Sequence, residues 1–298
     1  MLDVLCVGHA AFDVTMTAPH HPGADEKMRA DALTLGGGGP AANAAVQVAR
    51  LGGRAGLCTY LGHDIFGEAH LAELDEAAVD TALVLRGRHP TPVSQILAKP
   101  GGARSVVNYK GDTPWLPANA VDTHRLEELS PRVILFDGHE PLVSMRICDW
   151  ATAHNIPSVL DAGSVHRGTR ELAARVDYLV ASETFARNFC AADSVEGCLG
   201  ALAGISPNVV ITCGERGLIW QRAGQQGRLA AYPVEALDST GAGDAFHGAF
   251  ALAVARGMGW QDTLCFASAA GALTCTRLGA RAALPDAGQV GVLLGNAG

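Results

Sequence analysis

The chain has 298 residues, 48% hydrophobic and 17% charged, enough to bury a sizeable core as one large α/β domain or two modest ones. Its formal net charge is −8 and it carries no long basic run, which argues against nucleic acid or an anionic membrane as a main partner, since binding a phosphate backbone needs clustered Lys and Arg. No stretch approaches 18 uninterrupted apolar residues, so no transmembrane helix is expected.

From the N-terminus, residues 2–8 read as a strand, without the charged n-region and long h-region of a signal peptide. Residues 41–51 read as a helix closed by Gly52-Gly53, 55–61 as a strand and 66–78 as a helix. Residues 133–136 form a buried-strand run ending at Asp137-Gly138. A helix over 142–154, strands at 157–160 and 178–180, a helix over 184–190 and a strand at 209–212 follow. This βαβα rhythm implies a doubly wound, mostly parallel sheet with helices on both faces. Ligands bind such sheets at the carboxyl ends of strands, where Asp137, Asp161, Glu183 and Gly214 fall.

Two segments break the rhythm, about 11–35 and 89–115, which are rich in Thr, Pro and alternating residues. Residues 94–98 and 105–109, separated by Lys99-Pro-Gly-Gly-Ala-Arg104, make a hairpin with a longer loop. An antiparallel β appendage inserted into an α/β core is a candidate lid, and lids keep water from a reactive phosphate. The eight cysteines form no C-x-x-C and sit mostly in apolar segments, as buried free thiols of a reducing cytoplasm would. The eleven histidines show no metal spacing, so no zinc is expected.

Chemistry concentrates in two glycine motifs. Gly36-Gly-Gly-Gly-Pro-Ala-Ala-Asn43 leads into the first helix, where glycines let backbone approach a ligand and Asn43 could bind substrate hydroxyls; a plain flexible turn is the alternative. Asp238-Ser-Thr-Gly-Ala-Gly-Asp244 opens an apolar helix running to Ala255. Bare N–H groups at a helix N-terminus bind anions. A carboxylate beside them makes sense if it takes a proton from a group next to that anion, as phosphoryl transfer requires. The plainer reading makes Thr240 an N-cap and Asp244 a first-turn acid favoured by the helix dipole.

Together the two motifs resemble both signatures of the ribokinase-like (PfkB) carbohydrate kinases. The resemblance runs along essentially the whole chain, through Gly8 and Asp13, Gly62-His-Asp64-Ile-Phe-Gly67, Thr212-Cys-Gly-Glu-Arg-Gly217 and Thr276-Arg-Leu-Gly279. It implies a single kinase domain over 1–298 that uses ATP and magnesium. It implies that Asp244 is the base that deprotonates a sugar hydroxyl, with Gly241, Ala242 and Gly243 as the anion hole. It also implies that Asp13, Gly38 and Asn43 bind substrate hydroxyls, and that Thr212, Gly214 and Gly217 contact the nucleotide. Asp238, Thr240, Arg277, Gly279 and Ala283 resemble the monovalent-cation loop of members that need potassium.

The chain departs from the family where many members carry Asn-x-x-Glu, whose Glu helps hold the hydration shell of magnesium. Here Ser182-Glu-Thr-Phe185 puts Ser182 and Phe185 at those positions, with Glu183 nearby at a different phase. Gly-Gly-Gly-Pro-Ala-Ala, Val107-Asn-Tyr109, Cys275-Thr-Arg277 and Gly279-Ala-Arg281-Ala look closest to the ketohexokinase and sulfofructose kinase branch. That implies a ketose more than ribose. Lys27, Asn108 and His139 complete the expected substrate pocket, with Lys27 and Asn108 reaching in from the lid. An anionic sugar needs a cation there, and His139 is not a permanent one. A nucleoside kinase of the same superfamily and a non-catalytic nucleotide- or sugar-binding protein are the alternatives. The first needs aromatic surface for a base, for which the lid segments offer Phe12, Tyr109 and Trp115. The lid is also expected to pair with a second subunit, because an open sheet face or edge is sticky unless covered.

Overall fold

The first strand leaves the chain nowhere to go but into a core: all four residues of β1 (Val4–Val7) are buried. In the computed structural model, which describes residues 1–99, 104–190, 192 and 194–295, the chain then steps out and back twice. β2 (Ala11–Thr17) and β3 (Ala32–Gly38) leave the core, and α1 (Pro40–Arg50), β4 (Ala55–Gly62), α2 (Ile65–Glu76) and β5 (Asp80–Gly87) return to it. β6 (Val93–Ala98) and β7 (Arg104–Tyr109) leave again as the predicted hairpin; residues 100–103 of its loop lie outside the described residues. The remainder alternates: α3 (Thr123–Leu129), β8 (Val133–Phe136), α4 (Pro141–Ala153), β9 (Ser158–Ala162), α5 (Arg167–Leu172), β10 (Tyr178–Ser182), α6 (Glu183–Cys190), α7 (Val195–Ala203) and β11 (Asn208–Thr212). β12 (Leu218–Arg222), β13 (Gln225–Leu229), α8 (Ala242–Ala255), α9 (Trp260–Thr274) and α10 (Ala287–Gly295) close the chain.

Nine strands form the main sheet in the order β13-β12-β11-β10-β9-β8-β1-β4-β5. It is parallel from β11 to β5, as the βαβ rhythm requires. The sequence reading missed the antiparallel β12–β13 edge, which is closed by Ala223 and Gly224, both at positive φ, the geometry of a tight hairpin turn. One apolar layer packs α1, α8 and α9 on one face of the sheet, and a second packs α3 to α7 on the other. α8 is buried from Ala245 to Ala253, so its position is set by packing and its N-terminal turn is held at the carboxyl edge of the strands.

The four remaining strands form the lid, in the order β3-β2-β6-β7. Neighbours are antiparallel except β2 and β6, which run parallel. Alternation splits this sheet into two faces. Thr34, Gly36, Asp13, Thr15, Ser94 and Asn108 share one face by register, and Leu33, Leu35, Val14, Met16, Leu97, Val107 and Tyr109 share the other. Asp64 fixes the base of the lid: it caps α2 through the Gly67 N–H and accepts both the N–H and the hydroxyl of Thr91, just before β6.

Candidate active site

α8 begins at Gly241, whose φ of +80° only glycine adopts without strain, and no side chain caps it. Thr240 is therefore not the N-cap. Its N–H and hydroxyl both go to Asp238 Oδ1, at 2.9 and 2.6 Å. Among the described residues the N–H groups of Gly241 and Gly243 make no hydrogen bond, while that of Ala242 reaches the Ser239 carbonyl at 3.3 Å. A side chain on Gly243 would meet open space, so the backbone there faces a vacant approach. Asp244 follows on the same turn. Burial raises its pKa, opposed first by the Asn43 amide and then by His247. Asn43 Nδ2 donates to Asp244 Oδ2 at 2.7 Å across 201 residues of sequence.

Each glycine before α1 answers a different neighbour. A Cβ on Gly37 would strike the Arg281 guanidinium and His70, and one on Gly38 would strike the Asp13 carboxylate. Gly39 sits at φ +93° against the His9 carbonyl. The run is thus a close-packed crossing, not a flexible turn. It sets Gly38 against Asp13, and the buried Asn43 follows on the first turn of α1 with its N–H on the Gly39 carbonyl. Burial pushes the Asp13 carboxyl up to about 6, with a Ser94 hydrogen bond opposing. Asn108 lies in the same row of the lid as Asp13, through the register Asp13–Ser94–Asn108.

His139 follows β8 and stacks on His166 at 4.4 Å between ring centroids, with His9 at 5.3 Å. Burial holds His166 down to about 4 and His9 to about 3, and the neighbouring His139 adds to both shifts. Asp137 ties this corner together, accepting the N–H groups of His9, Ala41 and His139. Lys27 makes no hydrogen bond or ion pair with the other candidate site residues among the described residues. It is exposed on the β2–β3 connection, which closes on itself where Glu26 accepts from Gly23 and His20.

On the other side of Asp244, Thr212 ends β11 and leads into a short 3-10 turn, Gly214–Arg216. Gly214 and Gly217 are at φ +60° and +82°, and a Cβ on Gly217 would strike the Leu229 carbonyl. Glu183 stands beside this turn, but its carboxylate is paired with both Arg187 and Arg216. Ser182 caps α6 through the Phe185 N–H, and Phe185 is buried against Phe189. Ser182–Phe185 therefore offers no free carboxylate for a hydrated metal.

Asp238 is buried and joins two turns, accepting from Thr240 on one side and from the Gly279 N–H at 2.9 Å on the other. Ala283 is buried with its N–H on the Gly279 carbonyl, and the Arg277 side chain is exposed.

Sequence reasoning missed three groups. Arg281 is buried between Glu73, His70 and Asn43. His9 and His166 flank His139. Arg104, on lid strand β7, donates to Ser239 Oγ at 2.7 Å, next to the α8 N-terminus. None follows a local periodicity; each becomes visible only when distant segments meet. A cavity of about 520 Å³ lies behind Arg281, lined by Thr34, Arg50, Glu73 and Glu76 and sharing Asp13 with the site.

A helix N-terminus with uncommitted N–H donors and a carboxylate on its first turn, beside a lid on a doubly wound sheet, is an arrangement that suits phosphoryl transfer. Residues 1–287 match the pfkB family carbohydrate kinase model, and the chain belongs to that family of phosphotransferases. It is 28% identical over 298 residues to the ribokinase of Bacillus subtilis, covering 99% of this chain and 100% of the relative. It is 26% identical to a nucleoside kinase of Methanothermobacter thermautotrophicus, over 96% of this chain and 94% of that one. The Arabidopsis thaliana ribokinase, solved with ribose and ATP, superposes with a TM-score of 0.83 at 22% identity, over 98% of both chains. These relatives do not single out the ketohexokinase and sulfofructose kinase branch.

Proposed function

We propose that the chain is an ATP-dependent kinase that phosphorylates a primary hydroxyl of a small neutral sugar, a ketose or ketose-like compound. The observation that carries this is the 2.7 Å bond from Asn43 to Asp244, which joins the two glycine motifs beside unbonded N–H donors. In this reading Asp13, Gly38, Asn43, Asn108 and His139 hold the sugar. Asp244 takes the proton of the attacking hydroxyl as its oxygen bonds to the γ-phosphorus. The bond to the β–γ bridging oxygen breaks and ADP leaves. The N–H groups at Gly241 and Gly243 take up the charge on the transferring group, joined by that of Ala242 when it leaves the Ser239 carbonyl. Thr212, Gly214 and Gly217 lie against the nucleotide. Magnesium would neutralise charge on the ATP phosphates, and Glu183, paired with Arg187 and Arg216, would have to leave those partners to take part in holding it. Asp238, Thr240, Gly279 and Ala283, with the backbone at Arg277, form the turn that a potassium ion would brace; the support is the buried Asp238 bridge between its two halves.

Neutrality of the sugar is supported by the fate of the cations. Lys27 is exposed on the β2–β3 connection, Lys110 pairs with Glu140, Arg281 pairs with Glu73, and Arg104 is drawn to Ser239 at the phosphate side of the site. His9 and His166 are held neutral. A nucleoside is disfavoured because the aromatic candidates are spent: Phe12 packs on Phe66, Trp115 lies under Arg167, and Tyr109 is on the outer lid face. The Bacillus relative favours ribose as the competing sugar.

We also propose a homodimer through the lid. Its outer face leaves Leu33, Leu35, Val107 and Tyr109 between 56% and 67% exposed, and β3 and β7 have open edges.

An ATP-consumption screen across ketoses, aldoses, sugar acids, sulfo-sugars and nucleosides, with and without potassium, tests the substrate. Ketose turnover above all others is expected; ribose or a nucleoside as the best substrate overturns the ketose assignment. Asp244→Asn is expected to lower kcat by about 10³-fold or more while ATP binding, read by calorimetry, is kept. Unchanged phosphorylation in that variant defeats the mechanism.

A further inference from the structure

Arg281 ends a chain of contacts that leads to Asp244. Its Nη1 lies 3.2 Å from Glu73 Oε2, which also accepts the Gly37 N–H at 2.9 Å. Its Nη2 lies 2.9 Å from His70 Nε2 and 3.4 Å from Asn43 Oδ1. A guanidinium has no acceptor, so His70 Nε2 must be the acceptor, with its ring neutral and the proton on Nδ1. The Arg281 head also fills the space a side chain on Gly37 would need. Three partners and a steric wall thus fix one plane of the guanidinium.

An asparagine amide has a donor end and an acceptor end. Flipped by half a turn, Asn43 would set its oxygen against the Asp244 carboxylate and its NH2 against the Arg281 guanidinium, two repulsive contacts in place of two attractive ones. We propose that Arg281 is a positioning residue: it holds Asn43 in the orientation that keeps an N–H on Asp244, and so sets the pH range over which the base is ionised. This rests on the reading of Asp244 as the base.

The groups around both ends are few. Asp244 faces Asn43 from α1, His247 from its own helix and Arg104 from the lid. Asp137 and Asp161 face it from the ends of β8 and β9, and Asp13 from β2. Arg281 faces Glu73 and His70 from α2, Asp13 from β2 and Arg50 from α1. The hydrogen-bonded route from Arg281 to Asp244 runs through Asn43, while Asp13 feels the charge of both.

The test is the pH dependence of kcat at saturating sugar and ATP, from pH 5 to 9, in the full-length enzyme, so that the effect of Asp13 on the sugar KM does not enter. Arg281→Met leaves the half-buried Glu73 without its cation, so it is paired with Glu73→Gln to restore charge balance. The double variant is expected to move the acid limb up by about one pH unit and to lower kcat about tenfold, with KM for ATP within twofold. Asn43→Ala is expected to move the limb at least as far, and adding Arg281→Met to it to move it no further. An unshifted limb in Arg281→Met/Glu73→Gln, or additive shifts in the Asn43/Arg281 pair, overturns the proposal. Should Arg281→Met fail to fold, Arg281→Lys keeps a charge against Glu73 but cannot fork to Asn43 and His70, and the same shift is expected. Wild-type turnover by Asp244→Asn is a separate outcome, which removes the base reading itself.

Discussion

Asp13 shows how a residue's chemistry comes from its surroundings. Its carboxyl is pushed up to about 6 by desolvation, with the Asp244 and Glu73 charges adding to it. The folded state therefore binds this proton more tightly than the unfolded chain, whose Asp titrates near 4. The sign follows: Asp13 makes stability fall as pH rises from about 4 to about 6, and its contribution levels off above that. Asp13→Asn is expected to remove this slope and to melt no lower than wild type at pH 7.5, in thermal melts at pH 5 and 7.5. If Asp13 accepts sugar hydroxyls, the same substitution raises the sugar KM about 10- to 100-fold. Wild-type KM should also climb as pH drops below about 6; a flat KM from pH 5 to 8 would separate Asp13 from the sugar. Gly37 tests the crossing sterically. Gly37→Ala must displace Arg281 or His70 and is expected to cost about 1–3 kcal/mol in a denaturant melt.

At the scale of elements, the nucleotide side depends on a turn. Gly217 combines φ +82° with a backbone collision, while Gly214, at φ +60°, has open space around its Cβ position. Gly217→Ala is expected to cost about 1–3 kcal/mol and to raise KM for ATP more than KM for sugar, with Gly214→Ala milder on both counts, in steady-state kinetics and thermal melts. Equal effects of the two would break the link between this turn and ATP. Most elements were legible because their signals are local: β8 spans 133–136 as expected, and the hairpin strands differ by a residue at each start. The β12–β13 edge was not, since Ala223-Gly224 lacks the Asn-Gly or Asp-Gly mark of a tight hairpin.

For the whole molecule, the lid is the open question in assembly. Val107 and Leu35 lie in one outer row, through Val14 and Gln95, so a charge at either should spoil a lid-to-lid contact. Wild type is expected to sediment as a dimer, and Val107→Asp as a folded monomer with unchanged far-UV circular dichroism. A wild-type monomer across a wide concentration range ends the dimer proposal.

The sequence by itself determined the alternating α/β core, the insertion of the lid and the two glycine motifs, because hydrophobic period and turn chemistry are written in neighbouring residues. It also placed Asp244, Asn43, Asp13 and Gly38 on a common list. Tertiary structure alone decided which members of that list meet. It joined Asn43 to Asp244 and left Lys27 in solvent. It closed Glu183 with two arginines and brought Arg281, His9 and His166 to the site. The physical reason is one of range. Burial, charge pairing and the orientation of an amide depend on residues hundreds of positions apart, and no local pattern records them.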